Sequence, residues 1–234
     1  MSPSGPDIRA AWFDFATVDG SFGGSLRLLR DMEAQRAVYW ACVVGDGRPL
    51  VTVRDDDVPL PHGTTLEVRT SGLWSAIHTE TPGEHWSVGL EAFALSLDDP
   101  ADAWGDERGD LVPLGFDLEW EATASGTTTH PCIVTGEVLV GTEAITVDAV
   151  GWRGEEHGQP DWSSWSRRTG HWSDGTPVTK AEAAEIEWLP RHEAPVLADG
   201  VRLARSLCLL RGTAGRTGSG WRERVHPVVG ELVE

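Results

Sequence analysis

Residues Ala144 to Val150, AITVDAV, set Ile145, Val147 and Ala149 alternately with Thr146 and Asp148. A period of two puts the apolar side chains on one face of a strand and the polar ones on the other. The same alternation recurs outward along the chain. In TTLEVRT (64–70), Leu66 and Val68 alternate with Thr65, Glu67 and Arg69; in FDLEWEA (116–122), Phe116, Leu118 and Trp120 oppose Asp117, Glu119 and Glu121. SVGLEAFALSL (87–97) is apolar on both faces and reads as an interior strand.

Turn signals separate these runs at short intervals: Asp19-Gly20, Gly45-Asp46-Gly47, Pro61-His62-Gly63, Asp174-Gly175 and Asp199-Gly200. Helix candidates are few: LRLLRDMEAQRA (26–37), DPADAWGDER (99–108) and TKAEAAEIEW (179–188), the last two being equally readable as surface turns or strand. The tract GTAGRTGSG (212–220) reads as a hairpin into a final strand, because no GK[ST] follows to make it a phosphate loop. Many short strands with frequent turns predict an all-β sandwich or barrel. The small, polar stretch ATASGTTTH (122–130) suggests a division into two β-rich halves, 1–122 and 123–234.

With 234 residues the chain can bury a large core without a metal or disulfide staple. Nineteen basic residues against thirty-seven acidic ones give a net charge of -18, which opposes binding to nucleic acid or to an anionic membrane surface. The N-terminus lacks a basic segment followed by an apolar run, and no stretch has the length of a membrane span, so a cytoplasmic location is expected. Cys42, Cys132 and Cys208 lie far apart in apolar runs and read as buried thiols. Lys180 is the sole lysine, which argues against Schiff-base catalysis.

After the AITVDAV strand comes GWRGEEHGQPDWSSW (151–165), which packs Glu155, Glu156, His157 and Asp161 among Trp152, Trp162 and Trp165. Three large rings in one short segment favour burial against a shared cavity. A second group, Glu84-His85-Trp86 with Glu91, opens the interior strand, where Glu91 shares a face with Phe93 and Leu95. A carboxyl buried there needs a partner or a proton. Neither group has HExxH or CxxC spacing, so zinc is not indicated. Ser163, Ser164 and Ser166 lack a G-x-S-x-G elbow, which argues against a serine hydrolase.

These residues, with TPGEHWSVGLEAFALSLDDP, RGDLVPLGFDLEWE, GEVLVGTEAITVDAV and RTGSGWRE, give the chain a likeness from about Trp12 onward. It resembles the carotenoid 1,2-hydratase (hydroxyneurosporene synthase)-like family. The resemblance implies a lipocalin-like fold of two β-rich halves with a hydrophobic pocket, and activities that include adding water to an isoprenoid double bond and intramolecular cycloaddition. Against the family's GQRDHSWGxRDWW pattern, Gly151, Arg153, Gly158, Asp161 and Trp162 match. The acidic position after the arginine, which the resemblance makes the proton donor, is Gly154 here. An adjacent glutamate in the acid role, a changed chemistry and a site without activity are the open alternatives.

Alkene hydration or cyclisation needs a carboxylic acid kept protonated by an apolar setting, and ring faces to stabilise positive charge. Glu155, Asp161 and Glu91 are the candidate acids, His157 the candidate relay, and Trp152, Trp162, Trp165, Trp86 and Trp120 the candidate pocket walls. Solvated turn acids around core tryptophans are the plain alternative. The sequence therefore points to an enzyme needing no cofactor or metal, acting on a hydrophobic unsaturated small molecule. A carrier of such a molecule and a shape-driven pericyclase are the rivals.

Overall fold

The computed structural model of the protein describes residues 7–105, 108–126, 128–162, 164–198 and 200–226. The alternating runs become strands: β1 Ile8–Ala16, β2 Phe22–Asp31, β3 Arg36–Gly45, β4 Leu50–Pro59, β5 Leu66–Thr70, β6 Leu73–Thr81, β7 His85–Leu97, β8 Asp110–Ala122, β9 Thr129–Val140 and β10 Glu143–His157. They form one antiparallel sheet in the order β4-β3-β2-β1-β10-β9-β8-β7-β6-β5. Its two sides meet again where β4 pairs with β7 through Leu50 and Leu97, Val51 and Ser96, and Thr52 and Leu95. The circuit from β4 round to β7 takes in eight strands, so the sheet closes into a barrel. The β5–β6 hairpin extends it beyond β7 and is tied to β4 by Thr70 Oγ1, which donates to Asp55 at 2.8 Å.

The barrel is filled by the inward residues of each strand, among them Phe13, Phe15, Leu28, Tyr39, Val88, Leu118, Trp120 and Val134. Trp120 lies edge-on to Phe13 at 5.1 Å. A second antiparallel sheet follows: β11 Ser166–Trp172, β12 Glu187–Glu193, β13 Val196–Ala198, β14 Val201–Arg211 and β15 Thr217–Val225, ordered β11-β15-β14-β12 with β13 on β14. It lies on the outer face of β1, β2, β3 and β10. Apolar groups seal this seam at two places, Ala16, Cys42, Val44, Leu207 and Trp221 in one, Trp40, Val196, Ala198 and Leu203 in the other. Helix α1, Glu182–Glu185, packs Ala183 with Trp172, Val178 and Trp188 on the far side of the second sheet. The expected all-β, lipocalin-like class of two packed antiparallel β units with few short helices is what the chain adopts.

Of the three helix candidates one comes out differently, and the other two take the turn and strand readings open to them. LRLLRDMEAQRA is not a helix but β2, a turn and the start of β3, and Asp31 Oδ1 holds that turn by accepting from the backbone N–H of Glu33 and Ala34. Its apparent helical spacing arises because β2 is covered on both faces, by the barrel core and by the second sheet. DPADAWGDER gives a 3-10 turn at Pro100–Trp104, its Asp106 and Glu107 lying outside the described residues. TKAEAAEIEW is the short α1 running into β12. Residues 122–130, of which Thr127 lies outside the described residues, join β8 to β9 within one sheet, and the chain changes sheet between His157 and Ser166. The expected division near residue 122 therefore does not coincide with the change of sheet.

β7 is an interior strand on one face only. Val88, Leu90 and Ala94 enter the barrel core, whereas Phe93 is 65% exposed and Glu91 is exposed beside it. No helix among the described residues is long and apolar enough to cross a membrane.

Candidate active site

Antiparallel register assembles the seam between the two sheets. On the barrel, Trp40, Arg27, Trp12 and Gly154 stand opposite one another in a row across β3, β2, β1 and β10, and Cys42, Ser25, Asp14 and Trp152 form the next row. On the second sheet Arg167, Glu223 and Arg205 form a row across β11, β15 and β14. The rows meet face to face, so charges that alternate with apolar residues along their own strands converge in the interior.

The ion pairs there are graded in tightness. Arg27 Nη2 lies 2.5 Å from Glu156 Oε2, and Arg205 Nε lies 2.7 Å from Glu223 Oε2. Trp165 Nε1 donates to the other oxygen of Glu223 at 2.6 Å, and Arg205 also donates to Ser25 Oγ. Arg167 is 3.4 Å from both Glu156 and Glu223 and stacks over Trp12 at 4.2 Å. Arg27 is boxed by Trp40, Trp162 and Trp165, with 4.9 Å to the last. Burial by itself raises the Glu223 carboxyl, but the guanidinium groups of Arg167, Arg205 and Arg27 outweigh it and hold the pKa down at about 2.

Asp14 behaves in the opposite way. It is 4% exposed, and burial pushes its pKa up to about 6 against the lowering effects of the Thr169 hydrogen bond and of Arg167. Its Oδ2 accepts from Thr169 Oγ1 at 2.6 Å, and its Oδ1 from the Trp152 backbone N–H at 3.1 Å. Thr169 and Trp152, with Trp12, Glu156 and Arg167, line a cleft of about 640 Å³ that opens between β10, β11 and the α1 segment. A volume of this size suits a small-molecule guest. Trp12 has a buried Nε1 with no hydrogen-bond partner among the described residues.

The residues singled out from sequence divide among different places. Trp152 lines the cleft and donates through Nε1 to the Gly170 carbonyl at 3.3 Å. Trp162 and Trp165 meet at a tilt, their ring centroids 5.3 Å apart, on the same seam. Trp86 and Trp120 are instead core rings of the barrel, with Trp120 Nε1 donating to the Asp14 carbonyl at 3.1 Å. Glu155 is an exposed residue that pairs with Arg153, whose guanidinium lies 4.6 Å over Trp86 on the barrel side of β10. Asp161 and His157 are exposed in and beside the connection to the second sheet, where Ser164 Oγ donates to Asp161 at 2.7 Å. Ser163 lies outside the described residues. Glu91 borders a wide, open hollow on the outer barrel wall with Arg69, Trp74 and Phe93, not a buried site. The four expected catalytic groups are therefore not gathered at one point.

Sequence reasoning missed Trp12, Asp14, Arg27, Arg167, Thr169, Arg205 and Glu223. A usable signal was present in Asp14, which interrupts the run Ala11-Trp12-Phe13-Asp14-Phe15-Ala16. A charge inside a strand apolar on both faces is costly unless it is paired or neutral.

Gly154 has a direct physical role. A Cβ there would lie under 3.0 Å from the Trp12 indole, so the ring fills the space that a side chain at position 154 would occupy.

Comparison with solved structures gives fold likeness at low identity. The chain is similar to CghA, in a structure determined with Sch210972, at 10% identity over 94% of this chain and 88% of that one, with a TM-score of 0.52. It is also similar to kievitone hydratase from Nectria haematococca at 10% identity over 93% of this chain and 88% of that one, with a TM-score of 0.48. No curated protein matches the chain. A family model covering residues 3–179, the barrel together with β11, matches the sequence, and the chain belongs to that family, the domain of unknown function DUF7064.

Proposed function

We propose that the protein is a cofactor-independent enzyme that holds a hydrophobic, unsaturated small molecule, isoprenoid or polyketide-like, in the inter-sheet cleft and promotes its hydration or cyclisation by acid. The observation that carries this reading is Asp14, a carboxyl kept partly protonated near neutral pH and one hydrogen bond from a hydroxyl that lines the cleft. CghA, similar in fold, was crystallised with Sch210972, which supports reading this fold as one that accommodates a guest.

When Asp14 is protonated, its Oδ2 proton is donated to Thr169 Oγ1, and the Thr169 hydroxyl proton is free to point into the cleft. Transfer of that proton to an alkene carbon forms a C–H bond, while Thr169 recovers a proton from Asp14, which becomes the carboxylate. The faces of Trp12 and Trp152 stabilise the cation left on the substrate. Water then adds to it, or a second double bond closes on it, and the proton lost afterwards returns through Thr169 to Asp14.

A second reading, a carrier or a cleft that folds its substrate toward a pericyclic reaction by shape, is favoured by the commitment of Glu156 and Glu223 to arginines. Neither of those two is free to deliver a proton.

The test is incubation with a panel of C15 to C20 polyenes in ¹⁸O-water, scored by mass spectrometry for added water and for new isomers. Asp14→Asn and Thr169→Val should lower turnover on the order of 10² to 10⁴-fold while the guest still binds, the usual weight of a general acid. The wild-type rate should fall as pH rises through about 6. Unchanged turnover in both variants sinks the acid mechanism and leaves shape. Binding without turnover in every form identifies a carrier.

A further inference from the structure

The proposed proton route leaves the charge of the cleft wall unused. On a chain of net charge -18, the residues lining the cleft include Arg167, Arg168 and Lys180 but one carboxylate, Glu156. That carboxylate is committed elsewhere, at 2.5 Å from Arg27 against 3.4 Å from Arg167. Glu223 is likewise held by Arg205 at 2.7 Å and by the Trp165 N–H at 2.6 Å, again leaving 3.4 Å to Arg167. Asp14 has its two oxygens on Thr169 and on the Trp152 backbone N–H. Every acid near Arg167 thus has a tighter partner than Arg167.

Arg167 presses on the ring of Trp12, which is 3% exposed and whose Nε1 has no acceptor among the described residues. Arg27, 1% exposed and directly opposite Trp12 in the register, has Nε and Nη1 equally without an acceptor. A buried donor left unsatisfied is costly, so the Trp12 N–H, beside an Arg167 whose two carboxylate contacts are both long at 3.4 Å, is a place where an acceptor belongs.

We propose that the guest of this cleft carries an ionised oxygen group, a carboxylate or an enolate, and that its oxygens take the Arg167 guanidinium and the Trp12 N–H while its apolar body lies along Trp152, Val178 and Ala183. A planar guanidinium suits a two-oxygen anion, and its position over an indole fixes its orientation. Lys180 and Arg168 add attraction at the entrance. The inference rests on the cleft being the substrate site.

The test compares cis-parinaric acid, a fluorescent polyene carboxylate, with its methyl ester. The acid should bind the wild type about tenfold or more tightly than the ester, the scale of one charge-assisted hydrogen bond. Arg167→Gln should remove that preference by weakening the acid alone, and added salt should narrow it. Lys180→Glu changes an exposed residue and should weaken the acid several-fold without affecting the ester, which keeps the test valid should Arg167→Gln fail to fold. Equal affinity for acid and ester in the wild type, or a preference that survives both substitutions, overturns the anion assignment while leaving the cleft as the guest site. Binding of neither probe overturns the cleft reading itself.

Discussion

Gly154 on β10 and Trp12 on β1 face each other across the sheet, and the indole of Trp12 occupies the volume that any side chain at position 154 would need. Position 154 is thereby filled by a ring, and the acid beside the cleft stands two residues from that ring, at Asp14. Gly154→Ala should destabilise the protein by about 1–3 kcal/mol, the range for overfilling a packed site. In Trp12→Ala the same change should cost far less, so that urea denaturation of the four proteins gives a coupling energy well above experimental error. Additive effects would show that the ring does not constrain position 154.

Asp14 should make the fold less stable as pH rises. Its folded pKa of about 6 lies above the 3.8 of an ordinary aspartate, so between these values the folded state binds more protons than the unfolded one. Stability from this group is full below about 4 and is lost on passing about 6. Raising the pKa from 3.8 to about 6 corresponds to about 3 kcal/mol. Asp14→Asn should therefore flatten the fall in melting temperature between pH 4 and 7 and be more stable than wild type at pH 7 to 8. A steeper fall in the variant would refute the raised pKa.

Glu223 should contribute with the opposite sign. Its folded pKa of about 2 lies below 4.5, so its stabilisation is complete above about 4.5 and is lost as pH falls toward 2. Glu223→Gln leaves Arg205 and Arg167 without their shared carboxylate and should cost about 3–5 kcal/mol at pH 7, the penalty for breaking a buried pair. The difference from wild type should shrink on acidification below pH 4. A substitution cost below about 1 kcal/mol at pH 7 would mean that the row of charges contributes little.

The acids that stand out in the sequence should matter little for folding. Glu91 and Asp161 are exposed, and substituting each by its amide should change stability by no more than about 0.5 kcal/mol. Parinaric acid binding should also stay within twofold of wild type. A large loss at Asp161 alone would show that the β10–β11 connection closes over the guest.

The fold class was legible because period-two alternation in AITVDAV, TTLEVRT and FDLEWEA is a local property that needs no knowledge of neighbours. Thirteen residues of β7 show where local reading stops: the apolar pattern of SVGLEAFALSL does not say which face the barrel core takes, and Phe93 and Glu91 fell on the outer one. β2 misled for a related reason, since the cover on its outer face comes from a sheet that lies more than a hundred residues later in the chain.

The sequence by itself determined the strands, the absence of an acid at 154, and the crowding of tryptophans around residues 152–165. Only the tertiary structure decided which charges meet, because Asp14, Arg27, Glu156, Arg167, Arg205 and Glu223 are brought together by strand register and by the stacking of two sheets, and neither quantity is encoded within any one segment. The same stacking changes what Gly154 means. In sequence it is a glycine where the resemblance to the hydratases leads one to expect an acid; in the folded protein it is the space that the Trp12 ring fills beside the cleft.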